Sequence, residues 1–377
     1  MKDVYQIAVV HGDGIGPEVC AAAVEVVNAA LGPDCPLRFT EYPAGAEHFL
    51  KTGQSFPQPT FEACRAADAI LHGAGGLPGV VYPDGTEAGL DFTLRLRFEL
   101  DLYANIRPIR LFEGVTSPLA GVKAGDIDYV ILRENSEGLY AARGAGALLR
   151  GEVAVDTLVQ TRAGIERIVR KAFELARQSN GAPRDGVRRV TCCDKANVLR
   201  SYAFFRSVFD EVAKDYLDIE TEHALVDAMA MHLVLKPGHF NVIVSENMFG
   251  DILSDLAAAT VGGMGMAPSA EVGDANGFFQ AAHGSAPDIA GKGIANPYGT
   301  ILSAAAMLDW LGRRHGDERL LRAAEQIRHV TEACLANGLL SADLKGKSST
   351  AEITGNVCDR LCRNRSSSSS MAGRARS

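Results

Sequence analysis

The feature that most constrains the fold is an alternation of short apolar runs, several ending in glycine-rich turns, with stretches of helical periodicity. Ile7 to Val10 ends in His11-Gly12-Asp13-Gly14, which reads as a buried strand entering a tight turn. Pro17 opens a helical pattern through Ala30, at the first-turn position where proline is tolerated. Ala69-Ile70-Leu71 runs into Gly73-Ala74-Gly75-Gly76, and Tyr129 to Leu132, Val190 to Cys192 and Phe240 to Val244 read as further strands. The last is followed at once by a helical stretch from Glu246. Other helical patterns cover 164–178, 202–214, 301–311 and 320–335. This alternation predicts an α/β architecture around a largely parallel sheet.

A chain of 377 residues has room for two or three domains and can bury a core without a disulfide or metal staple. Asp and Glu number 46 against 38 Lys and Arg, giving a formal charge of −8. That balance argues against a nucleic-acid partner, though not against a local basic pocket for an acidic small molecule. The eight cysteines have neither disulfide-scaffold density nor zinc-ribbon spacing, and read as reduced thiols. The uncharged stretch Leu256 to Ala270 is short and broken by Gly262, Gly263, Gly265 and Pro268, so no membrane span is expected there. Met1-Lys2-Asp3-Val4-Tyr5 lacks the character of a secretory signal, and a cytoplasmic location is expected. Residues 363–377, with serine at 366–370, cannot bury an apolar face and read as a disordered tail.

Four groups of residues could carry chemistry. In Asn247-Met248-Phe249-Gly250-Asp251-Ile252-Leu253-Ser254-Asp255, Asp251 and Asp255 are i and i+4 on a helix, so both carboxylates leave one face. Like charges at that spacing call for a positive group between them, and two carboxylates suit Mg²⁺ or Mn²⁺. A solvated acidic face has the same spacing. Asp227 sits in an apolar stretch, as a third ligand or a paired core acid. Arg97, Arg107 and Arg133 are candidate carboxylate binders, although Arg95 stands beside Arg97 and local sequence does not choose between them. Tyr140 and Lys195 could serve as acid and base if their surroundings tune them. Gly12-Asp13-Gly14-Ile15-Gly16 fails the spacing of a Rossmann fingerprint, and the turn-rich loop from His283 to Pro297 could wrap a nucleotide or merely connect elements.

Taken together, six segments in order resemble the β-decarboxylating dehydrogenases of the isocitrate/isopropylmalate dehydrogenase family, which act on isopropylmalate, isocitrate, homoisocitrate and tartrate or D-malate. They are GDGIGPE from Gly12, DLYANIRP from Asp101, RENSEGLY from Arg133, DKANVL from Asp194, the Asn247–Asp255 helix, and HGSAPDIAGKGIANP from His283. The resemblance spans about residues 5 to 360 and implies a two-domain open α/β sandwich distinct from the Rossmann fold. It implies a larger cofactor-binding unit from 1–102 plus 262–362 and a smaller substrate and dimerisation unit from 103–261. It also implies a homodimer in which each site borrows Lys195 and Asp227 from the neighbour.

The implied roles are specific. Arg97, Arg107 and Arg133 hold the malate carboxylates, with Thr93 and Leu94 on the substrate-discriminating helix. Asp251 and Asp255, with Asp227 from the partner, hold Mg²⁺ or Mn²⁺; Lys195 is the base and Tyr140 the acid. His283, Gly284, Ser285, Ala286, Asp288 and Asn296 bind NAD, the Asp288 carboxylate favouring NAD because it would repel a 2′-phosphate. The implied reaction is oxidative decarboxylation of a (2R)-malate-type acid. 3-Isopropylmalate is placed first, and with it leucine biosynthesis; tartrate or D-malate and then isocitrate or homoisocitrate are the alternatives. Asp91 is expected to repel a third carboxylate. A non-catalytic regulatory subunit on the same fold is the remaining alternative, disfavoured because the acid, base and metal set is intact.

Overall fold

The computed structural model describes residues 2–83, 85–142 and 146–374. In chain order, β1 (Tyr5–Gly12), α1 (Gly16–Leu31), β2 (Leu37–Glu41), α2 (Ala46–Thr52), α3 (Gln58–Ala66) and β3 (Ala69–Ala74) come first. Then α4 (Asp91–Glu99) leads into β4 (Ala104–Arg110) and β5 (Asp128–Glu134). The short α5 (Gly138–Ala141) and the hairpin of β6 (Ala147–Leu149) and β7 (Val153–Val155) follow. Next are α6 (Arg162–Gln178), β8 (Arg189–Asp194), α7 (Arg200–Ala213), β9 (Glu220–Leu225), α8 (Val226–Leu235), β10 (Val242–Ser245) and α9 (Asn247–Thr260). The chain returns through β11 (Pro268–Val272) and β12 (Gly277–Ala281) to α10 (Tyr298–His315), α11 (Glu318–Ala336) and α12 (Thr350–Arg374).

One sheet carries the order β2-β1-β3-β12-β11-β4-β5-β10-β8-β9. The pairs β12–β11, β11–β4 and β4–β5 are antiparallel and the other pairs are parallel. β1, β3, β5, β8 and β10, each with a parallel neighbour, are the strands the apolar runs announce, because a strand covered on both faces reads as continuously hydrophobic, whereas the edge strands β2 and β9 are largely exposed. β4 escapes that reading. Its Asn105 and Arg107 alternate with Ile106 and Pro108, so it looks polar until its two faces are separated. Register places Asn105 opposite both Arg133 and Glu271, so these residues and Arg107 share one face of the sheet centre. A cavity of about 670 Å³ opens on the other face, lined by Ile106, Pro108, Ala270 and Trp310 among others.

Helix α12 runs from Thr350 to Arg374 and so enters the segment that begins at residue 363. Ile353, Val357 and Leu361 are buried, and Arg365 donates to the Ala29 carbonyl of α1 at 3.0 Å. Residues 375–377 lie outside the described residues. Among the described residues no helix is long and apolar enough to cross a membrane.

Candidate active site

The centre of the site is built by β10 feeding α9. Glu246 caps the helix, its carboxylate accepting from the backbone of Phe249 at 2.8 Å and Met248 at 3.2 Å. The cap fixes the start of α9 and so aims Asn247, Asp251 and Asp255 along one side. As the spacing requires, positive groups lie against the two aspartates. Arg133 pairs with Asp251, and Arg107 lies 3.4 Å from Asp251 and 3.3 Å from Asp255. Arg133 is 1% exposed, and its guanidinium also donates to Asn247 Oδ1 from Nε at 2.9 Å and from a terminal nitrogen at 2.7 Å. Burial, with Arg97 and Arg107 close by, brings the Arg133 pKa down to about 9. Arg107 donates to Ser254 Oγ at 2.5 Å, and its Nε is buried without a partner.

Helix and strand approach closely enough here that one residue must be glycine. A Cβ on Gly250 would lie 2.7 Å from the Arg133 Cβ and 3.2 Å from its Cα. Gly250→Ala is therefore expected to destabilise by about 1–3 kcal/mol through overpacking, outweighing the ~1 kcal/mol that alanine contributes to a helix. A lowered Tm checks this; an unchanged Tm with full activity would refute it.

Tyr140, on α5, reaches the same cluster. Its hydroxyl donates to Asp251 Oδ2 at 3.3 Å, and the Arg133 guanidinium carbon sits 5.5 Å from its ring centroid. Burial and the Asp251 charge raise its pKa, which keeps the phenol protonated. Arg97 resolves the ambiguity with Arg95. Arg95 lies 4.2 Å from the Phe61 ring centroid and bonds Glu99 on the outer side, whereas Arg97 is buried and points to the sheet centre. There Arg97 meets Glu271, a partner the sequence did not announce.

Helix α4 uses much of its polarity internally. Thr93 is buried and donates to the Leu90 carbonyl at 2.7 Å, and Leu94 is half-buried. Asp91 accepts from Ser55 Oγ at 2.6 Å, the Tyr82 hydroxyl at 3.1 Å and the Gly89 backbone at 3.0 Å. It thus clasps the start of α4 to Ser55 and Tyr82, a structural part the sequence did not announce.

Lys195 and Asp227 form their own pair, Nζ to Oδ1 at 2.8 Å. Asp227 is paired but is no core acid, since its side chain is 66% exposed at the first turn of α8. The Lys195 ammonium holds its carboxyl below the usual range. Among the described residues of one chain no three His, Cys, Asp or Glu side chains converge as a metal cluster, so Asp227 stands apart from Asp251 and Asp255. That pair still suits a hard divalent cation: both are oxygen donors on one helix face, and they are 34% and 58% exposed, leaving room for water and substrate oxygens.

The loop from His283 packs on the first turn of the chain. Gly14, with φ +57°, lies so close that a Cβ would sit 2.0 Å from the Ser285 carbonyl oxygen. Ser285 is buried and donates to the Gly76 carbonyl, while Ala286 has φ +40°. Ile15, Val19 and Ala295 form a small apolar cluster beneath Ala286 and Ile289. Among the described residues His283 Nε2 is buried without a partner, and a Cβ on neighbouring Gly284 would meet nothing within 4 Å, so the loop has room and a free polar atom for a bound ligand. Asp288 is exposed on the loop. Asn296 is buried, donating to Asp343 at 3.0 Å and accepting from the Tyr298 backbone at 3.0 Å.

The three arginines and two aspartates stand on a sheet whose centre is antiparallel, which sets this fold apart from the mostly parallel Rossmann sheet. The chain belongs to the isocitrate/isopropylmalate dehydrogenase family, whose model matches residues 6–357. It is an oxidative, β-decarboxylating dehydrogenase. It is 43% identical to a 3-isopropylmalate/3-methylmalate dehydrogenase of Methanocaldococcus jannaschii, over 95% of this chain and 99% of the relative. It is 38% identical to a "probable tartrate dehydrogenase/decarboxylase" of Bacillus subtilis, over 95% and 98% of the two chains. Among solved structures, isocitrate dehydrogenase from Methylococcus capsulatus superposes with a TM-score of 0.83 at 35% identity, covering 95% of this chain and all of that one.

Proposed function

We propose that the chain catalyses NAD-dependent, divalent-metal-dependent oxidative decarboxylation of a (2R)-malate-type acid, with 3-isopropylmalate as the first candidate. The products would be 4-methyl-2-oxopentanoate, CO₂ and NADH. The observation that carries this reading is the meeting of Arg97, Arg107 and Arg133 with Asp251, Asp255 and Tyr140 on one face of the sheet. The relative named for 3-isopropylmalate and 3-methylmalate supports the alkyl-bearing substrate. So does α4, whose Thr93 and Asp91 are engaged internally while Leu94 is only half-buried.

In this reading the arginines orient the two carboxylates, and Lys195 removes the hydroxyl proton as hydride leaves the same carbon. Breaking the bond to the β-carboxylate then releases CO₂ and leaves its electron pair in an enolate. Tyr140, kept protonated by its surroundings, donates its proton to the enolate carbon and so forms the 2-oxo acid product. Asp251 and Asp255, with the partner's Asp227, would hold Mg²⁺ or Mn²⁺, which supplies Lewis-acid polarisation of the substrate oxygens. NAD, held by the loop from His283 to Asn296, supplies the hydride acceptor.

A homodimer follows from the same residues. Asp227 begins α8, whose Met231 and Leu235 are exposed beside Ile252 of α9, and Leu148, Leu149 and Val153 of the β6–β7 hairpin are exposed as well. Two copies joined through these apolar side chains would carry Lys195 and Asp227 to the neighbour's site. The two units would be 1–102 with 262–362, and 103–261, and the location cytoplasmic.

The test is NADH formation with NAD and Mn²⁺ across 3-isopropylmalate, D-malate, tartrate, isocitrate and homoisocitrate, compared as kcat/KM. Preference for 3-isopropylmalate is expected. Preference for tartrate or D-malate would replace the substrate and keep the reaction, and no turnover with any of them would overturn the reading. For the cofactor, Asp288→Lys is expected to lower the NAD/NADP ratio of kcat/KM by about tenfold or more, since it exchanges repulsion of a 2′-phosphate for attraction. An unchanged ratio would remove Asp288 from cofactor choice.

A further inference from the structure

Glu271 lies on β11 with its side chain 0% exposed, beneath the three arginines. Each of its oxygens accepts two hydrogen bonds. Oε2 receives Arg97 Nε at 2.6 Å and Asn135 Nδ2 at 2.9 Å; Oε1 receives an Arg97 terminal nitrogen at 2.8 Å and Gln280 Nε2 at 2.9 Å. Burial alone would raise its pKa, but the Arg97 charge and these donors prevail and bring it to about 2. Glu271 is therefore a fixed anion buried behind Arg97.

We propose that Glu271 determines substrate charge: by clamping Arg97 and cancelling its charge, it tunes the cleft to a hydroxy acid with two carboxylates and against one with three. This rests on the reaction proposed above. The paired groups are Arg97, Arg107 and Arg133 against Glu271, Asp251 and Asp255, three charges of each sign. The Lys195–Asp227 pair adds no net charge. A divalent cation then brings the site to two positive charges, which two substrate carboxylates neutralise and a third would exceed. The clamp has a geometric side too. It engages two of the five guanidinium N–H groups of Arg97, one on Nε and one on a terminal nitrogen, so the other three are offered to substrate in a fixed orientation.

Calorimetric titration of the Mn²⁺-loaded protein without NAD tests this, with D-malate as the two-carboxylate probe and isocitrate as the three-carboxylate probe. The unmodified protein is expected to bind D-malate at least about tenfold more tightly. Glu271→Gln keeps the shape and removes the charge, and should shrink that ratio by about tenfold. Gln280→Ala removes one hydrogen bond to Glu271 but no charge, and should leave the ratio within about twofold. Equal affinities in the unmodified protein, or a ratio unmoved in a folded Glu271→Gln variant, would overturn the proposal. If Glu271→Gln does not fold, the unmodified ratio and its persistence in Gln280→Ala decide. Discrimination in binding without NADH from any acid would sink the proposed reaction and leave Glu271 its role, whereas NADH production without discrimination would do the reverse.

Discussion

Replacing Lys195 by alanine is expected to lower kcat by about 10²–10⁴-fold, the usual contribution of a positioned base, while KM for the hydroxy acid moves far less. Stability should change little, because Lys195 and Asp227 form a partly exposed pair of the kind worth about 0–1 kcal/mol. The check is steady-state NADH production alongside a thermal melt. An unchanged kcat would remove Lys195 from the chemistry and revive the reading of the chain as a regulatory subunit.

The second large effect is at Asp251. It accepts from Arg133 and Tyr140 and lies beside Arg107, and it is a proposed metal ligand. Asp251→Asn should weaken Mn²⁺ binding by at least about 100-fold, since losing a mere outer-sphere partner of a metal site already costs 10–100-fold. Activity should fall with it. Arg133 would keep Asn247 but lose its carboxylate, and because Asp251 is one-third exposed the stability cost should be about 1–2 kcal/mol rather than the 3–5 of a fully buried pair. Undiminished Mn²⁺ affinity by calorimetry would place the ion elsewhere.

These two variants also test the sharing of sites between subunits. If Lys195 serves the neighbour's Asp251, a mixed dimer of Lys195→Ala and Asp251→Asn chains holds one intact site and one doubly altered site. Random reassociation of equal amounts should then recover about a quarter of the original activity. Sites complete within one chain would recover none.

How much of this was legible beforehand depended on how local the signal was. The i, i+4 aspartates of α9 needed only helical geometry, and the demand for positive charge between them is met by Arg107 and Arg133. The apolar strands β1, β3, β8 and β10 could be read because burial on both faces leaves a continuous hydrophobic run. Arg95 and Arg97 could not be told apart, because two residues on one helical turn differ in function only through what lies opposite: Phe61 for one and Glu271 for the other. Glu271 gave no signal, being a single acid in a five-residue strand whose partners come from positions 97, 135 and 280. The structural contacts of Asp91 gave no signal for the same reason, since Ser55 and Tyr82 meet it only in the fold.

By itself, then, the amino-acid sequence determined the alternating elements and the paired aspartates, which depend on spacing within one segment. Only the tertiary structure decided which charges meet, because sheet order and register bring Arg97 to Glu271 across 174 positions and Arg133 to Asp251 across 118. A buried charge takes its meaning from the groups that surround it, and in this fold those groups are not its neighbours along the chain.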